Sequence, residues 1–413
     1  MRIDVFFDLY PHPAKPYFES QLTEWRRQGH RLRLFSFGCI PGIATAFPIA
    51  FLRTLRERPL HLALAILWRC FSLPARSWRV FHAESGLLAA IKALAIDAQL
   101  PRHPPDVHFV HNLATAVWLS YLKSAYPDTK LAIYYHGGEI PGVRQIPLEE
   151  SSRALGQADV VFSNTRASVT EAEGRGARSQ RTACVPVGFP LDRFTQPDDR
   201  AYLPDSRWRF VCLGRMAREK GFDVTLKAMA ELRRRRDDFH LSFIGEGPEL
   251  GALQALTEQL SLSDCVSFFG YIKSYQDVIN RLAEFDALIF SSLPIASSNF
   301  RDTQATVMQE AMLMGTIVVA SDIGGVRESL PPALRSYLYT PGSAEELTNR
   351  LSSVMRFNGE ELRSLGGTAR RFVAENYDIR TINEKILARI ADSSSPPEAL
   401  SRTLSPSKHG SRP

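Results

Sequence analysis

The sequence contains few cysteines, and they form no pattern. Five are present in 413 residues, an odd number, scattered and never in Cys-x-x-Cys spacing: Cys39, Cys70, Cys184, Cys212 and Cys265. A disulfide framework would need paired cysteines, and a zinc site would need closely spaced ones. The pattern therefore argues against both, and we expect each cysteine to be a small buried apolar residue in a reducing compartment.

Targeting and membrane-spanning segments are also lacking. A charge falls at Asp4 and no long apolar run follows it, which predicts that there is no signal peptide. Residues 34–52 are uncharged and approach the ~20 residues that a helix needs to cross a bilayer. They include Pro41 and Pro48 and begin as an alternating strand, so we expect no transmembrane helix and a cytoplasmic protein.

Neither charge nor composition is extreme. The chain is 44% hydrophobic and 23% charged, which excludes disordered, collagen-like and coiled-coil proteins. Its 50 Lys+Arg against 44 Asp+Glu give a formal net charge of +6, too small a bias to indicate nucleic-acid binding. A length of 413 residues predicts two domains, at ~100–200 residues each.

Most of the basic excess lies in residues 40–105, where eight Lys/Arg and three acids give a local charge of +5. Apolar runs at 49–52, at 62–68 and around Trp78 alternate with cations. The cations beside these runs are Arg53, Arg56, Arg58, Arg69, Arg76 and Arg79. Basic residues beside Trp, Phe and Leu are typical of a surface that docks on anionic lipids, which predicts membrane contact by the first domain. Alternatively, the apolar runs are core and the arginines a solvated rim.

Strand and helix signals alternate in two series. The first predicts strands over residues 2–9, 31–37, 107–110, 131–135, 159–163 and 183–187, with helices over 17–28 and 114–125. The second predicts strands over 209–213, 240–244, 266–269, 287–290 and 317–320, with helices over 223–235, 249–260, 275–283 and 306–314, and a helical segment over 359–390. Such alternation indicates parallel sheets with helices on both faces.

We therefore predict an α/β protein with two Rossmann-like domains that face each other across a cleft. The predicted domains are residues 1–195 and 196–375, hinged where Pro197, Asp198, Asp199 and Pro204 cluster. A helix at 376–392 and a disordered Ser/Pro-rich tail at 393–413 follow. Ligands of such sheets bind beyond the carboxyl ends of the strands, so the cleft is the expected site.

The first candidate site is Gly-Arg-Met-Ala-Arg-Glu-Lys-Gly at 214–221, after a strand and before a helix. A glycine allows a tight turn, and Arg215 and Lys220 converge with a helix N-terminus, which suits a diphosphate. A solvated basic loop is the alternative. Gly245 and Gly247 after the next strand form only a partial dinucleotide fingerprint, so we interpret them as a strand-to-helix turn.

Two acids, Asp302 and Glu310, accompany the helix predicted at 306–314. The amides at its start suit a phosphate, and ionised Glu310 suits a ribose diol because it only accepts hydrogen bonds. Asp302 could bind sugar hydroxyls. The alternatives are a helix cap for Asp302 and a surface position for Glu310. Eight helical residues would separate the acids by ~12 Å, wider than the ~5–9.5 Å of a glycosidase pair, so we do not interpret them as one.

His136 follows the strand at 131–135 and precedes two glycines. A histidine at the carboxyl end of a strand is placed for function when that end faces a cleft. The glycines let a ligand approach the backbone. The alternative is a structural histidine.

Together these motifs resemble the GT-B glycosyltransferases, in particular the retaining group that contains polysaccharide, lipopolysaccharide and phosphatidylinositol mannosyltransferases. The second half carries Gly-Arg-x-x-x-Glu-Lys-Gly at 214–221, Ile-Gly-x-Gly-Pro at 244–248, Val-x-Phe-x-Gly at 266–270, Glu-Ala-Met-x-x-Gly at 310–315 and Ile-Gly-Gly-x-x-Glu at 323–328. The first half matches more loosely, through Pro-Tyr-Phe at 16–18, Gly-His at 29–30 and His-Gly at 136–137. The resemblance covers residues 1–390.

The resemblance implies roles for matching residues. His136 would touch the sugar near the reacting carbon, and Asp302 would hold the transferred sugar. The residues implied to bind the donor are Arg215, Lys220, Ile272, Thr303, Gln304, Thr306 and Glu310. The first two would hold the diphosphate, Glu310 the ribose, and the backbone at Ile272 the base. The chain departs from the family at 302–305, where Asp-Thr-Gln-Ala replaces the usual Glu followed by glycines, and after the first strand, where a Pro-rich loop replaces a Gly-rich one.

The leading interpretation is a retaining transferase that moves a sugar from a UDP- or GDP-sugar to a glycan or lipid-linked acceptor in surface polysaccharide biosynthesis. The resemblance implies attack from the face that the leaving group departs from. We expect no cofactor and no metal, because Arg215, Lys220 and helix amides can stabilise the leaving diphosphate and no Asp-x-Asp is evident. The alternatives are a non-catalytic nucleotide-sugar-binding protein on the same fold and, from the double Rossmann pattern alone, a nicotinamide oxidoreductase.

Overall fold

The computed structural model describes residues 1–12, 16–84, 86–137, 145–196, 200–203, 207–295 and 302–393. The proline and aspartate cluster of the predicted hinge lies outside these residues, and so does the predicted tail apart from Ser393. No helix in the described ranges is both long enough and apolar enough to span a bilayer.

The first half of the chain forms a parallel sheet of seven strands in the order β3–β2–β1–β4–β5–β6–β7. The strands are β1 (Arg2–Phe7), β2 (Arg31–Ser36), β3 (Ile49–Phe51), β4 (Val107–His111), β5 (Lys130–Tyr135), β6 (Val160–Ser163) and β7 (Thr182–Cys184). The helices of this half are α1 (Pro16–Arg27), α2 (Pro59–Ser72), α3 (Pro74–Ala83), α4 (Leu87–Asp97), α5 (Leu113–Trp118), α6 (Leu122–Ala125), α7 (Leu148–Gly156) and α8 (Arg166–Gly174).

The second half forms a parallel sheet of six strands in the order β10–β9–β8–β11–β12–β13. The strands are β8 (Trp208–Leu213), β9 (Phe239–Ile244), β10 (Val266–Phe268), β11 (Ala287–Phe290), β12 (Ile317–Ser321) and β13 (Leu338–Tyr339). The helices are α9 (Phe222–Arg233), α10 (Leu250–Gln259), α11 (Tyr275–Leu282), α12 (Thr306–Leu313), α13 (Ala344–Val354), α14 (Gly359–Asn376) and α15 (Ile379–Ala391). The predicted α/β class and double Rossmann-like architecture are confirmed.

Both faces of the first sheet are covered. All five residues of β4 are buried. Phe109 and Val110 are adjacent in this strand but belong to different hydrophobic cores, because successive side chains of a strand point to opposite faces of the sheet. A strand with apolar residues on both faces is typical of a parallel sheet between two helical layers. In each sheet the strand order reverses once, between β1 and β4 and between β8 and β11, and these reversals place the crevice for ligands.

The helical segment predicted over 359–390 is interrupted at Tyr377 and Asp378. The Phe189 N–H donates to the Tyr377 carbonyl at 2.8 Å, and the Ile379 N–H donates to the Phe189 carbonyl at 3.0 Å. The Asp378 side chain caps the new helix, α15. Ile382 and Ile386 of α15 lie in a core of the first sheet, so the C-terminal helix returns to the N-terminal half.

Some boundaries differ from those predicted. The helix predicted over 114–125 is two short helices, α5 and α6, and the strand predicted over 183–187 ends at Cys184. Beyond that point the backbone of Val187 bonds to the Gln304 side chain instead of continuing the sheet. The basic stretch 40–105 holds β3 and three helices that the periodicity did not delimit.

Candidate active site between the two sheets

A cavity of about 640 Å³ lies between the two halves of the chain. The first half lines it with Asp8, Leu9, His12, Tyr17, His136, Asn164 and Val187. The second half lines it with residues of β8 and β11, of the loops around them, and of the starts of α9 and α12. Seven of the nine predicted site residues line it: His136, Arg215, Lys220, Asp302, Thr303, Gln304 and Thr306. The predicted cleft is therefore present, and most of the candidate residues meet there.

The loop at 214–221 is held against the end of β11. Gly221 has a left-handed backbone (φ +59°), and a Cβ added there would lie 2.2 Å from the Ser291 carbonyl oxygen. The Ser291 hydroxyl donates to the Lys220 carbonyl at 2.8 Å. Glycine is required here because any side chain would separate the loop from the strand end.

Lys220 and Asp302 form an ion pair at the cavity. The Lys220 Nζ donates to both carboxylate oxygens of Asp302, at 3.1 and 2.9 Å. The Arg215 guanidinium donates to the Glu219 carboxylate on the same loop. The Lys220 side chain is 23% exposed, so the alternative of a fully solvated basic loop is wrong for this residue.

Asp302 does not cap the helix that follows it. α12 begins at Thr306, and its N-cap residue, Ala305, provides no side-chain hydrogen bond. The first amides of α12 therefore have no side-chain cap, while the Asp302 carboxylate faces Lys220 instead. Amides without a side-chain cap, together with the helix dipole, favour an anion at such a terminus.

Thr303 and Gln304 bind the first half of the chain. The Asn164 side-chain amide donates to Thr303 Oγ1 at 2.9 Å, and that hydroxyl donates to the His136 carbonyl at 2.9 Å. The Gln304 amide accepts from the Val187 N–H at 2.6 Å and donates to the Val187 carbonyl at 3.0 Å. In this structure the two side chains join the halves, and their role toward the donor stays a prediction.

Glu310 is buried on α12. The side chain accepts a hydrogen bond from the Tyr275 hydroxyl at 2.9 Å, and the residue is 7% exposed, so the alternative of a surface helix position is wrong. Burial raises the pKa of Glu310 from 4.5 to about 7. Glu310 does not line the cavity, nor does Ile272, which is half-buried against the core of the second sheet.

His136 belongs to an aromatic cluster at the carboxyl ends of β4 and β5. Its Nε2 lies 3.1 Å from Nδ1 of His111, and its ring stacks on Tyr134 with centroids 4.4 Å apart. The sequence interpretation missed His111, although the residue is the last of β4 and thus follows the same rule that selected His136. It also missed Asn164, which comes directly after β6.

A second contact between the halves involves the motif at 323–328. The Glu328 carboxylate accepts from the backbone N–H groups of Arg166 and Ala167 at 3.0 and 3.2 Å, at the start of α8. A Cβ added at Gly325 would lie 2.3 Å from the Thr165 side chain and 2.7 Å from the Thr303 carbonyl oxygen. The glycine and the glutamate of this motif therefore serve the close approach of the two domains.

No cluster of three or more His, Cys, Asp or Glu in the described ranges could hold a metal ion. The prediction of metal-independent chemistry concerns the reaction itself and stays a prediction.

Comparison with known proteins agrees with this geometry. Residues 196–395 match the family model of glycosyl transferases group 1. The chain is 21% identical over 404 residues to the colanic acid biosynthesis glycosyltransferase WcaL of Salmonella typhimurium, covering 94% of this chain and 98% of that protein. It is 27% identical over 257 residues to a GDP-mannose-dependent phosphatidylinositol monomannoside mannosyltransferase of Mycolicibacterium smegmatis, covering 60% and 66%. The crystal structure of Anabaena HepE with UDP superposes with a TM-score of 0.69 and 18% identity over 95% of this chain and 100% of that one, a likeness of fold.

Proposed function

The chain is a glycosyltransferase of the GT-B fold whose residues 196–395 belong to glycosyl transferases group 1, and from this premise we propose a specific reaction. The enzyme transfers a sugar from a UDP- or GDP-sugar to a glycan or lipid-linked acceptor at the cytoplasmic face of a membrane. The anomeric configuration is retained, and no metal ion is needed.

The observation that carries the proposal is the convergence of Arg215, Lys220 and the start of α12 on one cavity. A nucleotide-sugar diphosphate is an extended anion, and these groups supply two cations and a helix N-terminus for it. When the diphosphate leaves, negative charge develops on its oxygen atoms, and fixed positive groups around the cavity stabilise that charge. A metal ion would have the same task, so the protein groups make one unnecessary.

The two members of the Lys220–Asp302 ion pair suit the two parts of the donor, the diphosphate and the transferred sugar. Lys220 would turn to the incoming phosphate, and Asp302 would accept hydrogen bonds from hydroxyls of the transferred sugar. Because the partner of each side chain is replaced rather than lost, Lys220 keeps an anionic partner and Asp302 keeps hydrogen-bond donors in the complex.

Glu310 fits the ribose, because it lies on α12, whose first residues line the cavity, and because an ionised carboxylate only accepts hydrogen bonds. One of its carboxylate oxygens already accepts from the Tyr275 hydroxyl, so the ribose diol would bind the second oxygen.

His136 places the reacting carbon. It lines the cavity with Asp302 but belongs to the first half of the chain, which the acceptor would approach. In the proposed step the bond from the anomeric carbon to the diphosphate oxygen breaks, and the acceptor oxygen bonds to that carbon on the same face. The acceptor proton passes to the departing diphosphate, so the step balances without a cofactor.

The names of the relatives support a nucleotide-sugar donor and a glycan or lipid-linked acceptor. They do not decide whether the base of the donor is uracil or guanine. WcaL is named for colanic acid biosynthesis, the mycobacterial relative for use of GDP-mannose, and HepE was crystallised with UDP. Donor and acceptor therefore need a direct test.

The test is incubation of the purified enzyme with a panel of UDP- and GDP-sugars and lipid-linked or free glycans, with products identified by mass spectrometry. We expect one donor to be used, an anomeric configuration equal to that of the donor by NMR, and the same rate with a chelator. Inverted product, or activity lost with the chelator and restored by a divalent metal, would contradict the mechanism. Nucleotide-sugar binding with neither transfer nor hydrolysis would make the chain a binding protein.

A further inference from the structure

An unusual apolar surface lies on α2, α3 and the start of α4. On α2 the residues Leu60, Leu64, Leu67, Trp68 and Phe71 are 61–82% exposed. Their spacing of four, three, one and three residues places them on one face of the helix. Trp78 on α3 and Leu87 and Leu88 on α4 are 66–67% exposed, and the three helices pack on one another. We name this set of eight residues the apolar face.

The apolar face is on the exposed side of α2, and a different side of this helix packs against the protein interior. Leu62 is buried, as is Arg69, which donates to the Asp97 and Leu100 carbonyls. A surface helix needs only one apolar side for folding, so its second apolar side is not explained by the core. Soluble monomers rarely expose so many large apolar side chains together unless another surface covers them.

Cations surround the apolar face, and acids are scarce there. Exposed cations include Arg56 and Arg58 before α2, Arg79 beside Trp78, Lys92 on α4, and Arg102, whose guanidinium lies 5.3 Å from the Trp68 ring centroid. Among the described residues of 40–105 the only exposed acid is Glu57, which is bound by Arg53 and the Thr54 backbone and hydroxyl. The local field therefore favours an anionic partner.

We propose that the apolar face docks on an anionic phospholipid bilayer, with α2 parallel to its plane. Leucine and phenylalanine would enter the boundary between headgroups and acyl chains, Trp68 and Trp78 would sit at the headgroup level, and the cations would bind lipid phosphates. The 14 residues of α2 span ~21 Å and could not cross a bilayer, which fits a helix that lies on the surface. Protein interfaces have cores poor in charge, whereas here cations lie beside each apolar helix.

The structure changes which residues of 40–105 are available to contact a membrane. Residues 49–51 of the first apolar run are strand β3, and Leu52 is buried. Arg69 serves the interior, and Arg76 donates to the Arg102 carbonyl and stacks on Tyr126. The cations left for a lipid surface are Arg56, Arg58 and Arg79, together with Lys92 and Arg102.

The inference rests on the proposed function in one respect: an enzyme whose acceptor is linked to a lipid has to reach the membrane surface. The assay is flotation of the full chain with vesicles of phosphatidylcholine alone or mixed equally with phosphatidylglycerol, at low and high salt. We expect binding to the anionic vesicles that falls with salt. Arg56→Gln with Arg58→Gln should weaken it roughly 25-fold, because each cation near the surface contributes about fivefold. Leu64→Ser with Leu67→Ser and Phe71→Ser should abolish it.

Matched controls use exposed residues elsewhere. Arg234→Gln with Arg235→Gln changes the same charge on the second domain, and Leu148→Ser removes an exposed leucine of α7, so both should bind like the parent. Nucleotide binding should be unchanged in every variant, which verifies folding. Lipids brominated on their acyl chains should quench the parent's fluorescence more than that of Trp68→Phe with Trp78→Phe.

Three outcomes would overturn the proposal. The first is a parent that ignores anionic vesicles at low salt, and the second is binding like the parent by both variant sets. The third is a dimeric parent that binds no lipid and that the serine variant makes monomeric. The last result would assign the apolar face to a second copy of the chain. Each outcome would leave the transfer reaction intact, because transfer to a soluble acceptor is measured without lipid.

Discussion

Replacing Glu310 with glutamine should change how stability depends on pH. Burial raises the pKa of Glu310 to about 7 from 4.5, so the native state holds its proton more tightly than the unfolded state does. Stability contributed at this site is therefore complete at low pH and is lost as pH rises through the interval between the two values. The full shift corresponds to about 3 kcal/mol, since one pKa unit equals ~1.4 kcal/mol.

Glutamine has the same shape but no charge to bury. It can still accept from the Tyr275 hydroxyl, while its new N–H donors cost up to ~3 kcal/mol if they are unpaired. That cost does not vary with pH, so it cancels when two pH values are compared. We expect the stability of Glu310→Gln relative to the parent to rise by about 2–3 kcal/mol between roughly pH 5 and pH 8.

The measurement is urea unfolding of the two proteins at both pH values, followed by tryptophan fluorescence. Glu346→Gln is a matched control, because that residue is only half-buried, its pKa is lowered, and its hydrogen bonds from Thr340 favour the ionised form. Its linkage window lies below about pH 4.5, where stability is lost as pH falls, so the control should hardly change between pH 5 and pH 8. A stability difference between Glu310→Gln and the parent that does not vary with pH would refute the reasoning, since it would mean that Glu310 titrates normally.

The same substitution tests the ribose assignment. Binding of UDP or GDP by calorimetry should be weaker in Glu310→Gln, while binding of inorganic diphosphate should be little changed. For the parent, nucleoside diphosphate affinity should rise as pH passes through about 7, because the diol needs the ionised carboxylate. Equal losses for both ligands would mean that Glu310 does not face the ribose.

Four further substitutions test other parts of the site. Lys220→Ala, and likewise Arg215→Ala, should weaken nucleoside diphosphate binding by ~1.5–3 kcal/mol, because each removes a charge-assisted phosphate contact; unchanged calorimetric affinity would place the diphosphate elsewhere. Asp302→Asn should lower turnover more than nucleotide binding, since its partner is the transferred sugar, and normal steady-state turnover would deny the carboxylate any part in the reaction. Gln304→Ala removes both hydrogen bonds to the buried Val187 backbone and should cost about 1–3 kcal/mol in urea unfolding, with unaltered stability as the contradicting result.

The sequence by itself determined the architecture of each sheet. Short apolar runs of strand length alternate with helix-periodic segments. Strands that are apolar on both faces are buried when they form a parallel sheet between two layers of helices. The same local patterns located the loop at 214–221 and His136, because residues that follow a parallel strand must lie at its carboxyl end. Seven predicted residues meet in one cavity for this reason.

Only the tertiary structure decided which surfaces meet. Periodicity shows that a helix has an apolar side but not what covers it, so α15 could not be assigned to the first sheet, nor could the apolar face on α2 be recognised as exposed. Thr303 and Gln304 are polar residues of an ordinary-looking loop, and their partners His136 and Val187 are more than a hundred residues away in the chain. Glu310 is polar in sequence and buried in the fold, because its environment, and with it its pKa, is set by side chains that pack around it from other elements.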